Sequence, residues 1–395
     1  MPRLYWLRGM NTMCDGSDTP AIGILTSGGD CPGLNAVIRG VVKTCFRLGY
    51  RVMGFEKGFE GLVEPIRCRE LTSQNTAGIL IQGGTILGST NRGRFASRVG
   101  VDELRRLPAS LVDEVRRTFD AYNLQGLICV GGDGSLATAQ QFHEAGLPVV
   151  GVPKTIDNDL GATAYTFGFD SAVACAVDAL DRLHTTAASH ERVMVLEVMG
   201  RHAGWIALHA GIAGGADVIL VPEIDWQYEH IVAKTEDRRR QGKMFTLVVV
   251  AEGARLPEGK MVTLEAVQAD RQTRLGGIGM VIANELEQRT GEEVRCVVLG
   301  HLQRGGAPTT FDRTLATMYG THAVRLIVEK KFGQMVCSVP PEIRSVPIHE
   351  AIGELRLIRP SGSAVQSARA MGISFGDCGE YVNPFHGIAP IEQVH

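Results

Sequence analysis

The stretch VPKTIDNDL, Val152–Leu160, brings Lys154, Thr155, Asp157 and Asp159 together just beyond an apolar run, Leu147–Val152. The run reads as a buried strand, and open α/β sheets bind ligands beyond the carboxyl ends of their strands. An aspartate held there beside a substrate hydroxyl can act as a general base. The competing reading is a turn rich in Asp and Asn, which suits Asn158 and Asp159. A second carboxylate stands in LICVGGDGSLATAQ, where Asp133 follows another apolar run inside a glycine loop. A bare carboxylate at such a place is costly. A magnesium ion coordinated through Asp133 and phosphate oxygens would satisfy it; a helix N-cap is the plainer alternative.

Two further glycine loops accompany these acids. GILTSGGDCPGLNAVIRGVV reads as strand, turn and helix, with Gly28, Gly29 and Gly33 allowing close backbone approach to a ligand. The helix start, supported by Asp30 or Asn35, favours an anion. The loop is neither a Walker A motif nor G-x-G-x-x-G, and an ordinary strand–helix turn would look much the same. GGTILGSTNRGRF adds Gly83, Gly84 and Gly88, followed by Arg92 and Arg94. Guanidinium forks suit phosphate oxygens; a solvated basic loop is the alternative.

The elements that must position these groups are short Val- and Ile-rich runs at Ala21–Leu25, Gly126–Val130, Leu147–Val152, Val193–Val198, Val218–Val221, Phe245–Ala251 and Val294–Leu299. Helical patterns lie between them at Ala36–Leu48, Leu136–Glu144, Ser171–Thr185, Ala203–Ala213 and Met280–Gln288. Continuous apolar strands alternating with helices predict an α/β fold with parallel sheets. The polar segment Gly253–Thr273 reads as an excursion, and periodicity weakens after Val339. The 395 residues suffice for two or three domains, and the net charge of −3 points to neither nucleic acid nor an anionic membrane. Nine scattered cysteines without C-x-x-C spacing suit a reduced cytoplasmic protein, and no apolar run approaches a membrane span. Residues 1–20 read as a disordered extension, with Met10 and Met13 as plausible alternative starts.

SGGDCPGLNAVIRG, GGDGS, KTIDND, EVMGRHAG and LGHLQRGG, in this order, resemble the 6-phosphofructokinase family across roughly Ile22–Arg313. The resemblance implies two Rossmann-like three-layer α/β domains with mainly parallel sheets and the active site in the cleft between them. Residues 21–160 would form the phosphate-donor domain, with part of 304–350 returning to it. Residues 161–303 would bind fructose 6-phosphate, and 351–395 would be a C-terminal extension. Gly28, Gly29, Gly132, Gly134 and Ser135 would line the donor site, with Asp133 handling Mg2+. Asp157 would take the proton from the sugar 1-hydroxyl, supported by Thr155, Asp159 and Lys154. Ile156, Met199, Gly200, Arg201 and Glu252 would line the sugar site, and His301, Leu302, Gln303 and Arg304 would lie at its 6-phosphate. Arg192 and Arg295 would reach across an interface into a neighbour's site, making the protein a homo-oligomer, a dimer or tetramer. Arg92 is the best match for the transition-state arginine, one residue late in GSTNRGRF, with Arg94 as runner-up.

The implied reaction is transfer from ATP to fructose 6-phosphate. The implied subgroup contains both ATP and pyrophosphate users. In such enzymes pyrophosphate users tend to carry aspartate at position 134 and lysine at 154, whereas ATP users carry glycine at both. This chain has Gly134 and Lys154. A carboxylate at 134 would repel the α-phosphate, so Gly134 decides for ATP, with pyrophosphate as the alternative donor. A catalytically silent regulatory subunit is a second alternative, opposed by the intact aspartates. Arg39 and Lys43 match the effector-binding residues of the short allosteric enzymes, but Ser73 and His184 replace expected arginines, so simple control by ADP or phosphoenolpyruvate is expected to be weak.

Overall fold

The computed structural model describes residues 19–90, 93–95, 98–99, 103–104, 106–263 and 275–379. The chain begins with β1 (Ala21–Thr26), α1 (Leu34–Leu48), β2 (Arg51–Phe55) and β3 (Cys68–Glu70), followed by a short pair, β4 (Arg98–Val99) and β5 (Glu103–Leu104). It continues through α2 (Ala109–Ala121), β6 (Leu124–Gly131), α3 (Asp133–Glu144) and β7 (Val149–Pro153). A second run comprises α4 (Phe169–His190), β8 (Val193–Val198), α5 (Trp205–Ala213), β9 (Val218–Leu220), α6 (Tyr228–Arg240), β10 (Thr246–Ala251), α7 (Ile278–Thr290) and β11 (Val294–Val298). Then come α8 (Thr310–Val328), β12 (Gln334–Val339), β13 (Glu342–Pro347), α9 (Ile348–Gly353) and α10 (Ser363–Ala370).

The strands form a seven-stranded sheet ordered β13-β12-β7-β6-β1-β2-β3 and a four-stranded sheet ordered β11-β8-β10-β9. The smaller sheet is parallel throughout, and only β3 and β13 run antiparallel at the edges of the larger one. The mixed α/β class with mainly parallel sheets is therefore the one implied by the sequence. Strand periodicity distributes the core. Ile22 and Ile24 of β1 face α1 and α8, whereas Ala21 and Leu25 face α2 and α3. On β8, Met194 and Leu196 pack with α4 and α5, and Val193 and Val195 pack with α6 and α7. One continuous core joins the layer beneath α1 and α8 to that beneath α4 and α5.

The return of α8 to the first sheet depends on small residues. A Cβ on Gly40 would lie 2.8 Å from the Thr317 carbonyl oxygen, and one on Gly320 would lie 2.5 Å from that of Val37. Side chains at these points would force α1 and α8 apart.

Several boundaries differ from expectation. β7 begins at Val149 because the Leu147 amide is turned back onto the Phe142 carbonyl. α4 extends to His190. α3 starts at Asp133, so Gly132 is the N-cap and Asp133 occupies the first turn, where the helix dipole favours a negative charge. The polar excursion contains a tight return with an Arg255–Met261 bridge, and its residues 264–273 lie outside the described residues. The described part of the C-terminal segment, through Gly379, packs on the body despite its weak periodicity: Ser374 bridges β9 at Val218, and Gly376 accepts from the Gln227 amide at 2.7 Å, while residues 380–395 lie outside the described residues. Among the described residues no helix is long and apolar enough to cross a membrane.

Candidate active site

The sequence-selected residues collect mainly beyond the C-terminal ends of the parallel strands of the two sheets. From the larger sheet come the loop after β1, the start of α3 and the loop after β7. From the smaller sheet come the loops after β8 and β10 and the tight helical turn Gly300–Arg304 after β11.

Lys154 lies where the loops after β1 and β6 meet. Its amide donates to the Gly131 carbonyl at 2.9 Å, and its Nζ donates to the Gly29 carbonyl. A Cβ on Gly28 would lie 3.4 Å from both Lys154 Nζ and Ser135 Oγ, so the loops after β1 and β6 converge on this ammonium. Lys154 is only 4% exposed, and burial lowers its pKa, while Asp133 and Asp30 oppose that shift. Arg304 approaches from the other half: its Nη1 donates to the Asp30 carbonyl at 3.1 Å. A Cβ on Gly29 would lie 2.8 Å from that nitrogen, so a side chain there would push the Arg304 guanidinium aside.

The acidic loop is built locally. The Asp157 amide donates to Thr155 Oγ1 at 3.1 Å, and the Asn158 Oδ1 accepts from the Thr166 amide at 3.0 Å. Asp157 Oδ1 is buried with no hydrogen-bond partner among the described residues. Burial pushes the Asp157 carboxyl above the usual carboxylate range and Asp133 adds to this, while Arg304, His202 and Arg201 pull it down. Asp159 is pushed up to about 7 by burial and by Asp157 and Asp133. Glu252 also rises to about 7, through burial and then Asp157. The acids therefore share one electrostatic environment with Arg201, His202 and Arg304. A carboxylate with a pKa near neutrality is suited to proton transfer.

The loop after β8 and the helical turn after β11 hang on buried Gln303. Its Oε1 accepts from the Met199 amide at 2.7 Å, and its Nε2 donates to the Ala172 carbonyl at 3.4 Å. Gln303 is fully buried and supports the loop rather than opening to solvent. The Glu252 amide donates to the Val198 carbonyl at 2.8 Å, and the Gly253 amide donates to the Gly200 carbonyl at 3.0 Å. Ile156 is 1% exposed and packs in the core, whereas His301 and Leu302 are exposed.

Two arginines lie elsewhere. Arg192 precedes β8 and Arg295 is near the start of β11, at the opposite end of the smaller sheet from Met199. Both bind Glu293, with Arg192 Nε at 2.5 Å. A six-residue strand spans roughly 20 Å, so this chain does not bring them to its own acidic loop. Arg92 lies outside the described residues. Arg94 pairs with Glu60 at 3.1 Å and approaches Glu114 at 3.9 Å.

Sequence reasoning missed several participants. His202 belongs to the EVMGRHAG motif but had no assigned role; nothing in its spacing disclosed its field at Asp157. The Gly28 backbone is fixed by distant loop residues, accepting from Ser89 Oγ at 2.5 Å and donating to the Thr90 carbonyl at 3.0 Å.

The donor set fits magnesium held jointly with phosphate. Asp133 contributes a negative field at Asp157 and Asp159 that a divalent cation would relieve. Among the described residues no cluster of three or more His, Cys, Asp or Glu side chains forms a metal cage. Mg2+ needs none when one or two carboxylates and substrate phosphates complete its shell.

Residues 21–327 match the phosphofructokinase family. The chain is 51% identical over 356 residues to an ATP-dependent 6-phosphofructokinase of Chloroflexus aurantiacus, a match covering 90% of this chain and 98% of that protein. It is 49% identical over 345 residues to a pyrophosphate–fructose 6-phosphate 1-phosphotransferase of Amycolatopsis methanolica, covering 86% and 96% respectively. Its fold superposes with a TM-score of 0.75 on a pyrophosphate-dependent phosphofructokinase from Nitrosospira multiformis, over 94% of this chain and 96% of that one at 20% identity. The chain belongs to the phosphofructokinase family.

Proposed function

We propose that this protein transfers the terminal phosphoryl group of ATP to the 1-hydroxyl of fructose 6-phosphate, giving fructose 1,6-bisphosphate and ADP. The observation that carries the mechanism is the buried, unpartnered Oδ1 of Asp157 within a cluster of acids and arginines. Burial raises the proton affinity of this carboxylate, which suits it to accept the hydroxyl proton as the new O–P bond forms. Thr155 orients the acidic loop through the Asp157 amide. Met199–Arg201 and Glu252 are suited to hold the sugar. Gly28, Gly29 and Gly132–Ser135 form the donor cradle around Lys154. Mg2+ supplied with the donor, and held at Asp133, would neutralise charge on the transferring phosphate.

A second donor reading has its own observation. Lys154 Nζ lies at the convergence of the donor loops, where an ammonium can serve the phosphates of either ATP or pyrophosphate. Gly134 favours ATP because it adds no carboxylate beside the α-phosphate. The similarity to the Chloroflexus enzyme supports the same choice.

Asp157→Asn keeps the shape of the base and removes its basicity. Turnover should fall by on the order of 10²–10⁴-fold, with fructose 6-phosphate affinity little changed. Near-normal turnover in that variant would remove Asp157 from its role.

A further inference from the structure

Residues 354–358, immediately after α9, touch both halves of the site from outside it. On the first half, the Arg356 amide donates to the Asp159 carbonyl at 2.8 Å, and Leu355 bridges to Leu160. Arg356 Nη1 donates to the Ala164 carbonyl at 2.6 Å. A Cβ on Gly161 would lie 2.6 Å from the Glu354 carbonyl oxygen, so a larger residue there would displace this segment. On the second half, Trp205 Nε1 donates to the Arg356 carbonyl at 2.8 Å, and the Arg356 guanidinium stands 4.6 Å from the Trp205 ring centroid. The Ile358 amide donates to Glu223 Oε1 at 3.0 Å, and the same carboxylate accepts from the Gly204 amide at 3.1 Å. Gly204 and Trp205 directly follow the loop that carries Met199, Gly200 and Arg201.

We propose that Arg356 is a positioning residue for phosphoryl transfer, locking the Asp157–Asp159 loop to the Met199–Arg201 loop and so fixing the base relative to the sugar phosphate. The proposal rests on the phosphofructokinase reaction given above. The two loops belong to different sheets, and within this strap Arg356 contacts the first directly and the second through Trp205. A planar guanidinium can stack on an indole while donating in its own plane to a carbonyl; an ammonium cannot reproduce both contacts. Small displacements of reacting groups are expensive in rate, because catalysis of this kind depends on alignment. None of the contacts of Arg356 involves the donor loop after β1, so loosening the strap should disturb turnover more than donor binding.

The test is steady-state kinetics with ATP and fructose 6-phosphate on full-length wild type, Arg356→Ala, Arg356→Lys and Trp205→Phe, with thermal unfolding of each. Arg356→Ala should lower kcat by on the order of 10–100-fold while the KM for ATP stays within about twofold. Arg356→Lys should recover part of the loss. Trp205→Phe keeps an aromatic ring but loses the indole donor, and should show a smaller fall in the same direction. The double variant Arg356→Ala/Trp205→Phe should be worse than either single variant, since the first removes the guanidinium contacts with Ala164 and the Trp205 ring and the second removes the indole hydrogen bond to the Arg356 carbonyl. A kcat for folded Arg356→Ala within about twofold of wild type overturns the proposal, whatever happens to the melting temperature. An equal loss in ATP affinity overturns it as well. If Arg356→Ala does not fold, Arg356→Lys and Trp205→Phe decide, and wild-type kcat in both overturns the proposal. An active wild type with an equally active Arg356→Ala removes the strap alone. A wild type without turnover removes both the strap and the reaction on which it rests.

Discussion

Asp159 is buried beside Asp157, and its carboxyl is pushed up to about 7 by burial and by the negative charges of Asp157 and Asp133. In the unfolded chain it would titrate near the ordinary aspartate value of about 4. The folded state therefore holds this proton more tightly. The associated stability is fully present below about pH 4 and is lost as pH rises through about 7. Asp159→Asn is neutral at every pH. Without substrate or metal, it should raise the melting temperature more at about pH 8 than at about pH 4. Calorimetry at the two pH values checks this, and a larger gain on the acid side would contradict the assignment of a raised pKa. The identities of Lys154, Asp133, Asp157 and Asp159 were legible as chemistry because loops of glycine and acid directly follow apolar strands. Arg356 was not legible: its contact with Ala164 joins residues 192 positions apart, and nothing local in LRLIRP marks it. Gln303 was named through resemblance, but its buried role depends on the Met199 amide and Ala172 carbonyl, contacts that only tertiary structure supplies.

At the scale of elements, the strands readable from sequence were mostly those buried on both faces, with the partly exposed β11 as the exception. β1, β6, β8 and β10 are predominantly apolar because helices cover both sides of their sheets, with exposed Gln125 in β6 and buried Glu197 in β8 as the polar interruptions. The edge strands of the larger sheet, β3 and β13, were harder, whereas β9 and β11 at the edges of the smaller sheet were read from their Val-rich runs. β13 has the sequence EIRSVP and is nowhere fully buried, so it lacks the continuous apolar signal of a central strand. α6, with the sequence YEHIVAKTEDRRR, buries only Tyr228, Ile231, Thr235 and Arg238, and its charged face obscures the pattern. α8 was missed for a different reason: its buried set includes Asp312, Tyr319 and Gly320 among its apolar residues. Asp312 accepts from both the amide and the hydroxyl of Ser171, at 2.8 Å and 2.6 Å, so a charge-bearing side chain sits where a simple amphipathic pattern would place an apolar one.

The whole molecule sets two mainly parallel sheets around a shared core and brings their C-terminal loops to the same cluster of acids and arginines. Arg192 and Arg295 stand apart at the other end of the smaller sheet, and the proposal that a second copy of the chain brings them to the site is tested by subunit mixing. Arg192→Ser and Asp157→Asn should each have low activity alone. Mixed under subunit exchange, they should regain part of it, because some hybrids contain one site with both intact residues. A fully active monomer by light scattering would contradict that assembly.

The most direct measurement of the central claim follows both products while wild-type protein is supplied with fructose 6-phosphate and Mg2+, and with either ATP or pyrophosphate at saturation. The account predicts equimolar fructose 1,6-bisphosphate and ADP from ATP, with faster turnover than from pyrophosphate. Transfer from pyrophosphate far faster than from ATP, or no transfer from ATP at all, would contradict it.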